Sequence, residues 1–91
     1  MSEPYRLVMT PSAIKALETK LKPSAAFALY EFMASVLCTQ PRRVGKPLAE
    51  PFDGFLSARR GAYRMIYRIE DSDHTVHVLT IDRRADAYRP R

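Results

Sequence analysis

The chain has little that would let it work through metals, cofactors or disulfides. It has a single cysteine, Cys38, so no disulfide can form within it. The setting Val36-Leu37-Cys38-Thr39 is apolar and helical in pattern, which suits a small buried hydrophobe. Histidine occurs twice, as His74 and His77, and on a strand a spacing of three points two side chains to opposite faces. No metal site is therefore expected. The three glycines are scattered and make no phosphate-cradling loop. No Ser/His/Asp pattern and no carboxylate pair placed for hydrolysis is visible, and no cofactor is expected. No run approaches the roughly 18 apolar residues of a membrane-spanning helix. The start, Met1-Ser-Glu-Pro-Tyr-Arg6, lacks the basic and apolar regions of a secretion signal, so a cytoplasmic location is expected. Repeats and low-complexity segments are missing too, and 91 residues suit one domain over 1–91.

Positive charge is plentiful and uneven. The net charge is +5 and the sequence pI about 9.7. Residues 1–40 carry four basic and three acidic side chains, whereas residues 41–91 carry eleven and seven. Arginine dominates the second group. A basic small domain points to an anionic partner, and a preference for Arg over Lys favours phosphate, which guanidinium grips in a planar fork. The apolar fraction of 46% is ordinary for a folded protein and argues against disorder.

The pattern predicts the order β-α-α-β-β-β. Tyr5–Met9 reads as a short strand. Thr10-Pro11 supplies an N-cap and a proline at the first helical position. Ile14, Leu17 and Leu21 then trace one apolar face. Lys22-Pro23 ends that helix and starts a second, over Ser24 to Thr39, with Phe27, Tyr30, Met33 and Leu37 as its stripe. These aromatic and Met positions are expected in the core. Pro41 to Gly54 reads as a connection. Three strands follow: Phe55–Arg59, Tyr63–Glu70 and His74–Asp82. The turns between them fall at Arg60-Gly61-Ala62 and Asp71-Ser72-Asp73, both of hairpin length. On the second of these strands Tyr63, Met65, Tyr67 and Ile69 share one face and Arg64, Ile66 and Arg68 the other. On the third, alternation places Val76 and Val78 on one face and Leu79 and Ile81 on the other. The expected fold is α+β: an N-terminal helical hairpin packed on one face of a small, mainly antiparallel sheet. The other face is left for solvent or a partner.

The segment Ser57-Ala-Arg-Arg-Gly-Ala-Tyr-Arg-Met-Ile-Tyr-Arg-Ile69 places Arg59, Arg60, Arg64 and Arg68 beside Tyr63 and Tyr67. Guanidinium groups next to rings on which a base can stack suggest nucleic acid. Arg59 and Arg64 come close across the turn, where like charges repel and add nothing to folding. The competing reading is a solvated face with acidic partners among Glu70, Asp71 and Asp82. The tail Asp82-Arg83-Arg84-Ala85-Asp86-Ala87-Tyr88-Arg89 returns Arg84 and Tyr88 toward the sheet edge, either as a packing pair or as part of a site.

Taken together, Lys46-Pro-Leu48, the arginine hairpin and Ile81-Asp-Arg-Arg-Ala-Asp-Ala-Tyr-Arg89 resemble the RelE/ParE superfamily of small toxins from bacterial type II toxin–antitoxin systems. The resemblance extends to the N-terminal strand and helical pair. It implies one of two activities. RelE-like members cleave messenger RNA in the ribosomal A site. ParE-like members share the fold but poison DNA gyrase and generally lack the Arg/Tyr set. Arg59, Arg64, Arg84 and Tyr88 match RelE-like positions, so the resemblance implies a metal-free endoribonuclease with these four as catalytic residues. Lys46, Arg43, Arg60, Arg68 and Arg83 are the candidate RNA contacts. Two positions depart from the pattern: Ser57 stands where a basic residue is common, and Arg83 where a histidine often precedes the terminal arginine. The general base is left open between Tyr88 and Lys46. The resemblance further implies a cognate antitoxin of the RelB or Phd kind that wraps the basic face, and operator DNA contacted only through that antitoxin. No membrane partner is expected. An inactive member that only binds is the remaining alternative.

Overall fold

The computed structural model describes residues 3–83. Strand β1 (Arg6–Met9) leads into helix α1 (Pro11–Thr19) and helix α2 (Pro23–Glu31), which continues as a π-helical turn over Phe32–Leu37. A one-turn helix α3 (Pro41–Val44) follows, then strands β2 (Lys46–Pro47), β3 (Leu56–Arg60), β4 (Tyr63–Glu70) and β5 (Thr75–Arg83). The sheet runs β1-β5-β4-β3-β2, with β1 parallel to β5 and every other pairing antiparallel. This is the expected α+β fold, with helices before a mainly antiparallel sheet. Two elements go beyond the expectation. The supposed connection from Pro41 holds α3, and Lys46–Pro47 adds an edge strand to β3.

Thr10 shows why α1 starts where it does. Its hydroxyl accepts from the Ala13 N–H at 3.1 Å and donates to the Leu79 carbonyl at 2.6 Å, so the N-cap also pins the helix to β5. The buried face of α1 is Ala13 and Ala16, with Leu21 just beyond. Ile14, expected in the stripe, is 39% exposed. Small side chains let the helix lie close on the strand, and a face of alanines carries less hydrophobic signal than its leucine and isoleucine neighbours.

The second helix departs from its expected stripe in the same way. Leu29, Met33, Leu37 and Cys38 are buried, while Phe27, Tyr30 and Val36 face solvent. Bonds to the fifth residue in Phe32–Leu37 widen the turn, so the four-residue spacing Leu29-Met33-Leu37 stays in line instead of drifting. Cys38 is buried as expected, and that burial raises its thiol pKa.

The core lies between these helices and one sheet face, where Met65, Tyr67, Val76, Val78 and Ile81 are buried. Ile81 was expected opposite Val78. A register shift corrects that: Ile66 pairs with Thr80 and Tyr67 with Val78, leaving Leu79 as an extra residue on β5. This bulge reverses the alternation beyond it, so Val78 and Ile81 share the core face. The turn between β3 and β4 is Gly61-Ala62, with Gly61 at φ +61°, a left-handed backbone that favours glycine. His74 lies in the turn before β5, not on the strand, where its ring stacks on Tyr5 at 3.9 Å.

Candidate nucleic-acid interface

The uncovered sheet face is organised by strand register. Arg59 pairs with Arg64, and Arg64 pairs with Asp82, so these three side chains form one rung across β3, β4 and β5. The next rung on the same face is Lys46, Ser57, Ile66 and Thr80. Strands lie about 4.8 Å apart and same-face residues roughly 7 Å apart along a strand, so Lys46 stands one step from the arginine pair. Arg59 and Lys46 are exposed and Arg64 is half-buried. Two guanidinium groups set side by side repel each other, and both suit the oxygens of an anion.

Beside this rung the face opens into a cleft of about 570 Å³, lined by Leu48, Phe52, Phe55, Arg64, Ile66, Leu79 and Thr80. The bulge residue Leu79 and its neighbour Thr80 both line the opening. Arg64 is the one charged side chain in its otherwise largely apolar lining.

The edge of the face is fixed by a buried tyrosine. Tyr67 is fully buried, and its hydroxyl donates to the Pro41 carbonyl. Burial pushes its pKa up to about 12, while a backbone hydrogen bond from Gly45 pulls the other way. Gly45 passes so close that a Cβ there would strike the Tyr67 hydroxyl oxygen and lie 2.8 Å from the Ser57 carbonyl oxygen. Only glycine allows this approach. The contact seats α3 on the sheet and delivers Lys46, the next residue, to the rung of Ser57.

The remaining candidates scatter. Arg60 pairs with Tyr63 on the helix-bearing face, and its guanidinium sits over the Phe32 ring at 5.5 Å from the centroid. That is a cation–π contact, worth about 0.5–1 kcal/mol at an exposed site. Arg83 shares the Tyr63 rung, on that same face, and is exposed. Arg68 lies on the open face but bonds Glu70 at 2.6 Å, and this partner holds the Glu70 carboxyl below its usual range. Arg43 is exposed on α3. Its neighbour Arg42 bonds Asp71 through both nitrogens, at 2.5 and 3.2 Å, which lowers the Asp71 pKa. Arg84 and Tyr88 lie outside the described residues.

Two expectations change here. Tyr63 and Tyr67 belong to the core face, so neither ring offers a platform on the open face. The acidic partners also separate: Glu70 takes Arg68, Asp71 takes Arg42, and Asp82 joins the rung of Arg64. Strict alternation from Val76 would have put Asp82 in the core. The bulge that moves it leaves no signature in the sequence, and Phe52 and Phe55 lie in a stretch whose loop composition hid their part in the cleft. Among the described residues no three His, Cys, Asp or Glu side chains gather as a metal site would require, and no helix is long and apolar enough to cross a membrane.

Comparison with known proteins gives a consistent answer. The sequence model of the family described as ParE toxin of type II toxin–antitoxin system, parDE, matches residues 7–88. The chain is 46% identical to the toxin RelG of Mycobacterium tuberculosis over 86 residues, covering 94% of this chain and 98% of that protein. It is 41% identical to the toxin RelE of the same organism, covering 94% and 88%. Among solved structures it is similar to the toxin–antitoxin complex RelBE2 of M. tuberculosis, with a TM-score of 0.86 at 44% identity over 94% of this chain and 98% of that one. The archaeal RelE–RelB complex of Pyrococcus horikoshii gives a TM-score of 0.69 at 25% identity, covering 90% and 97%. A family match across most of the chain, close relatives named RelG and RelE, and the shared fold lead to one conclusion: the chain belongs to the ParE toxin family of type II toxin–antitoxin systems, in the RelE-like branch of the RelE/ParE superfamily.

Proposed function

We propose that this toxin is a ribosome-dependent endoribonuclease that cuts messenger RNA in the A site and so arrests translation. The observation that carries the reading is the rung that sets Arg59 directly against Arg64 on the sheet face the helices leave open. RNA supplies its own nucleophile, the 2′-hydroxyl. Its attack on the adjacent phosphate builds negative charge on the phosphorane, and fixed guanidinium groups aimed at that charge lower the barrier. Arg64 is the central contact, with Arg59 beside it and Arg84 from the C-terminal segment. Lys46 holds a neighbouring phosphate, and Tyr88 orients the nucleotide. The products are a 2′,3′-cyclic phosphate and a 5′-hydroxyl. The full chain, 1–91, acts as one domain in the cytoplasm.

A cognate antitoxin is part of this reading. The M. tuberculosis and P. horikoshii relatives were solved as toxin–antitoxin complexes. An acidic segment laid along Lys46, Arg59 and Arg64 would neutralise the same charges that bind RNA. The test is primer extension on a message after induction. Wild type should give discrete cleavage sites, and Arg64→Ala should lose roughly 10²–10³ in rate, the usual cost of one charge-stabilising donor. Undiminished cleavage by that variant would remove Arg64 from the mechanism. The ParE description of the matching family favours a second reading, inhibition of DNA gyrase. It predicts loss of supercoiling by purified gyrase with translation initially intact.

A further inference from the structure

We propose that the cleft on the open face is a base subsite: it holds one of the two message bases that flank the scissile phosphate, stacked on Phe52. The inference rests on the reading of the chain as an RNA-cleaving toxin and adds the place where the nucleotide is gripped by its ring. Tyr63 and Tyr67 pack with the core, so the hairpin itself offers no ring to a base. The loop between β2 and β3 supplies one instead. Phe52 is 55% exposed and lines the cleft together with Phe55.

That loop is tied down by its own backbone. The Phe52 N–H donates to the Ala49 carbonyl at 3.0 Å, the Phe55 N–H to the Phe52 carbonyl at 3.1 Å, and the Leu48 N–H to the Phe55 carbonyl at 3.0 Å. Both backbone polar groups of Phe52 are thus engaged in the turn, and the last bond continues the pairing of β2 with β3. An exposed phenyl ring held in place over an apolar cleft suits a flat partner. A base is such a partner, because every base has a face that stacks on an aromatic ring. The volume of about 570 Å³ lies within the roughly 300–1,000 Å³ usual for small-molecule sites.

Charge sets which way the nucleotide lies. Ile66 and Thr80, in the cleft lining, share their rung with Lys46, and the next rung carries Arg59 and Arg64. Phosphate belongs at these cations and the base on the loop side. Glu50 and Asp53, the carboxylates of the loop, are exposed and repel phosphate from that side, which gives the same orientation. Thr80 is the one neutral polar side chain in the lining, so the subsite grips the ring and reads little of the base edge. A segment of the antitoxin is the competing occupant. The aromatic wall beside the phosphate-gripping rung favours the nucleotide.

The test is cleavage on programmed ribosomes at subsaturating toxin, with full-length wild type, Phe52→Ala and Phe52→Tyr. Each is given an intact message and two messages made abasic at one or the other nucleotide flanking the cleavage site. Thermal melts of all three proteins report on folding. Phe52→Ala should cleave the intact message roughly 5–150-fold more slowly, the usual cost of losing one base–aromatic stack. Phe52→Tyr, which keeps the ring, should stay within threefold of wild type. One abasic message should slow wild type to a similar degree and slow Phe52→Ala little further, because the stack it would remove is already gone. Phe52→Ala within threefold of wild type would overturn the subsite while leaving the nuclease reading intact. So would a wild type indifferent to both abasic messages, or abasic losses that add in full to that of Phe52→Ala. If Phe52→Ala cuts as wild type does but no longer retains the co-expressed antitoxin, the cleft belongs to the antitoxin and the proposal falls. A wild type that cuts no programmed message would bring down the nuclease reading and this inference together.

Discussion

Replacing Gly45 with alanine should destabilise the toxin by an amount the contacts set. A Cβ at that position would strike the Tyr67 hydroxyl oxygen and meet the Ser57 carbonyl oxygen at 2.8 Å and the Tyr67 ring at 3.0 Å. Neither oxygen yields cheaply. Tyr67 is fully buried and held by its bond to the Pro41 carbonyl, and the Ser57 carbonyl belongs to a strand paired with β2 and β4. Forcing a methyl into such a site costs about 1–3 kcal/mol. In a domain of this size each 1 kcal/mol moves the melting temperature by roughly 4–8 °C. Tyr67→Phe tests the same contact from the other side. It removes the buried hydroxyl and leaves the Pro41 carbonyl without that donor, a loss of about 1–3 kcal/mol.

The double variant carries the argument. Removing the Tyr67 hydroxyl also removes the closest atom that the methyl introduced by Gly45→Ala would strike. The two losses should therefore not add: the pair should be more stable than their sum by about 0.5–3 kcal/mol, the range for residues in direct contact. Urea unfolding followed by circular dichroism measures all three variants against wild type. A Gly45→Ala variant within about 0.5 kcal/mol of wild type, the range typical of a neutral surface change, would refute the close approach. Strict additivity would show that the methyl meets something other than Tyr67.

Other expectations follow from the same structure. Thr10→Ala should lose about 1 kcal/mol, the usual cost of an N-cap, and rather more because the bond to the Leu79 carbonyl goes too; chemical denaturation measures it. Tyr67 makes stability fall in alkali. The unfolded chain gives up the phenolic proton near pH 10, whereas the folded chain holds it to about 12. The unfolded state thus binds fewer protons in that window, and stability drops by about 1.4 kcal/mol per pH unit between the two values. Equilibrium unfolding from pH 9 to 12 should show this slope in wild type and lose it in Tyr67→Phe. Arg60→Ala should leave RNA cleavage within a few fold of wild type, because the guanidinium lies over Phe32 on the helix-bearing face, while Arg59→Ala should reduce it; parallel cleavage assays separate the two faces.

Much of the fold could be read in the sequence because its signals are local. Thr10-Pro11 and Lys22-Pro23 mark helix starts by chemistry that needs no tertiary contact, and both helices begin there. Tyr63–Glu70 alternates cleanly, and its bounds match the observed strand. What escaped depends on partners. Ala13 and Ala16 are buried because α1 lies close on β5, a demand that no local pattern states. The bulge at Leu79 depends on how two strands meet, so counting assigned Ile81 to the wrong face. At the candidate site, the facing of Arg59 and Arg64 was legible from the short turn, whereas Lys46 reached its rung only through the contact between Gly45 and Tyr67.

That contact explains how a modest core can support a charged face. The repulsion between Arg59 and Arg64 adds nothing to folding, so the strands that carry them are held from behind. The same β4 does both tasks by alternation: Met65 and Tyr67 enter the core while Arg64, Ile66 and Arg68 look outward. Tyr67 sits between two open-face positions and ties the strand to α3, and through Gly45 to the edge strand bearing Lys46. A variant that loosens this tie without touching the arginines should lower stability first, and should lower activity only insofar as Lys46 leaves its rung. Tyr67→Phe, which keeps the ring and loses one hydrogen bond, should therefore keep most of its cleavage. Gly45→Ala, which pushes β2 away from Ser57, should lose more activity than its lost stability explains at a temperature where both variants are folded. Equal activity in the two would place Lys46 outside the site.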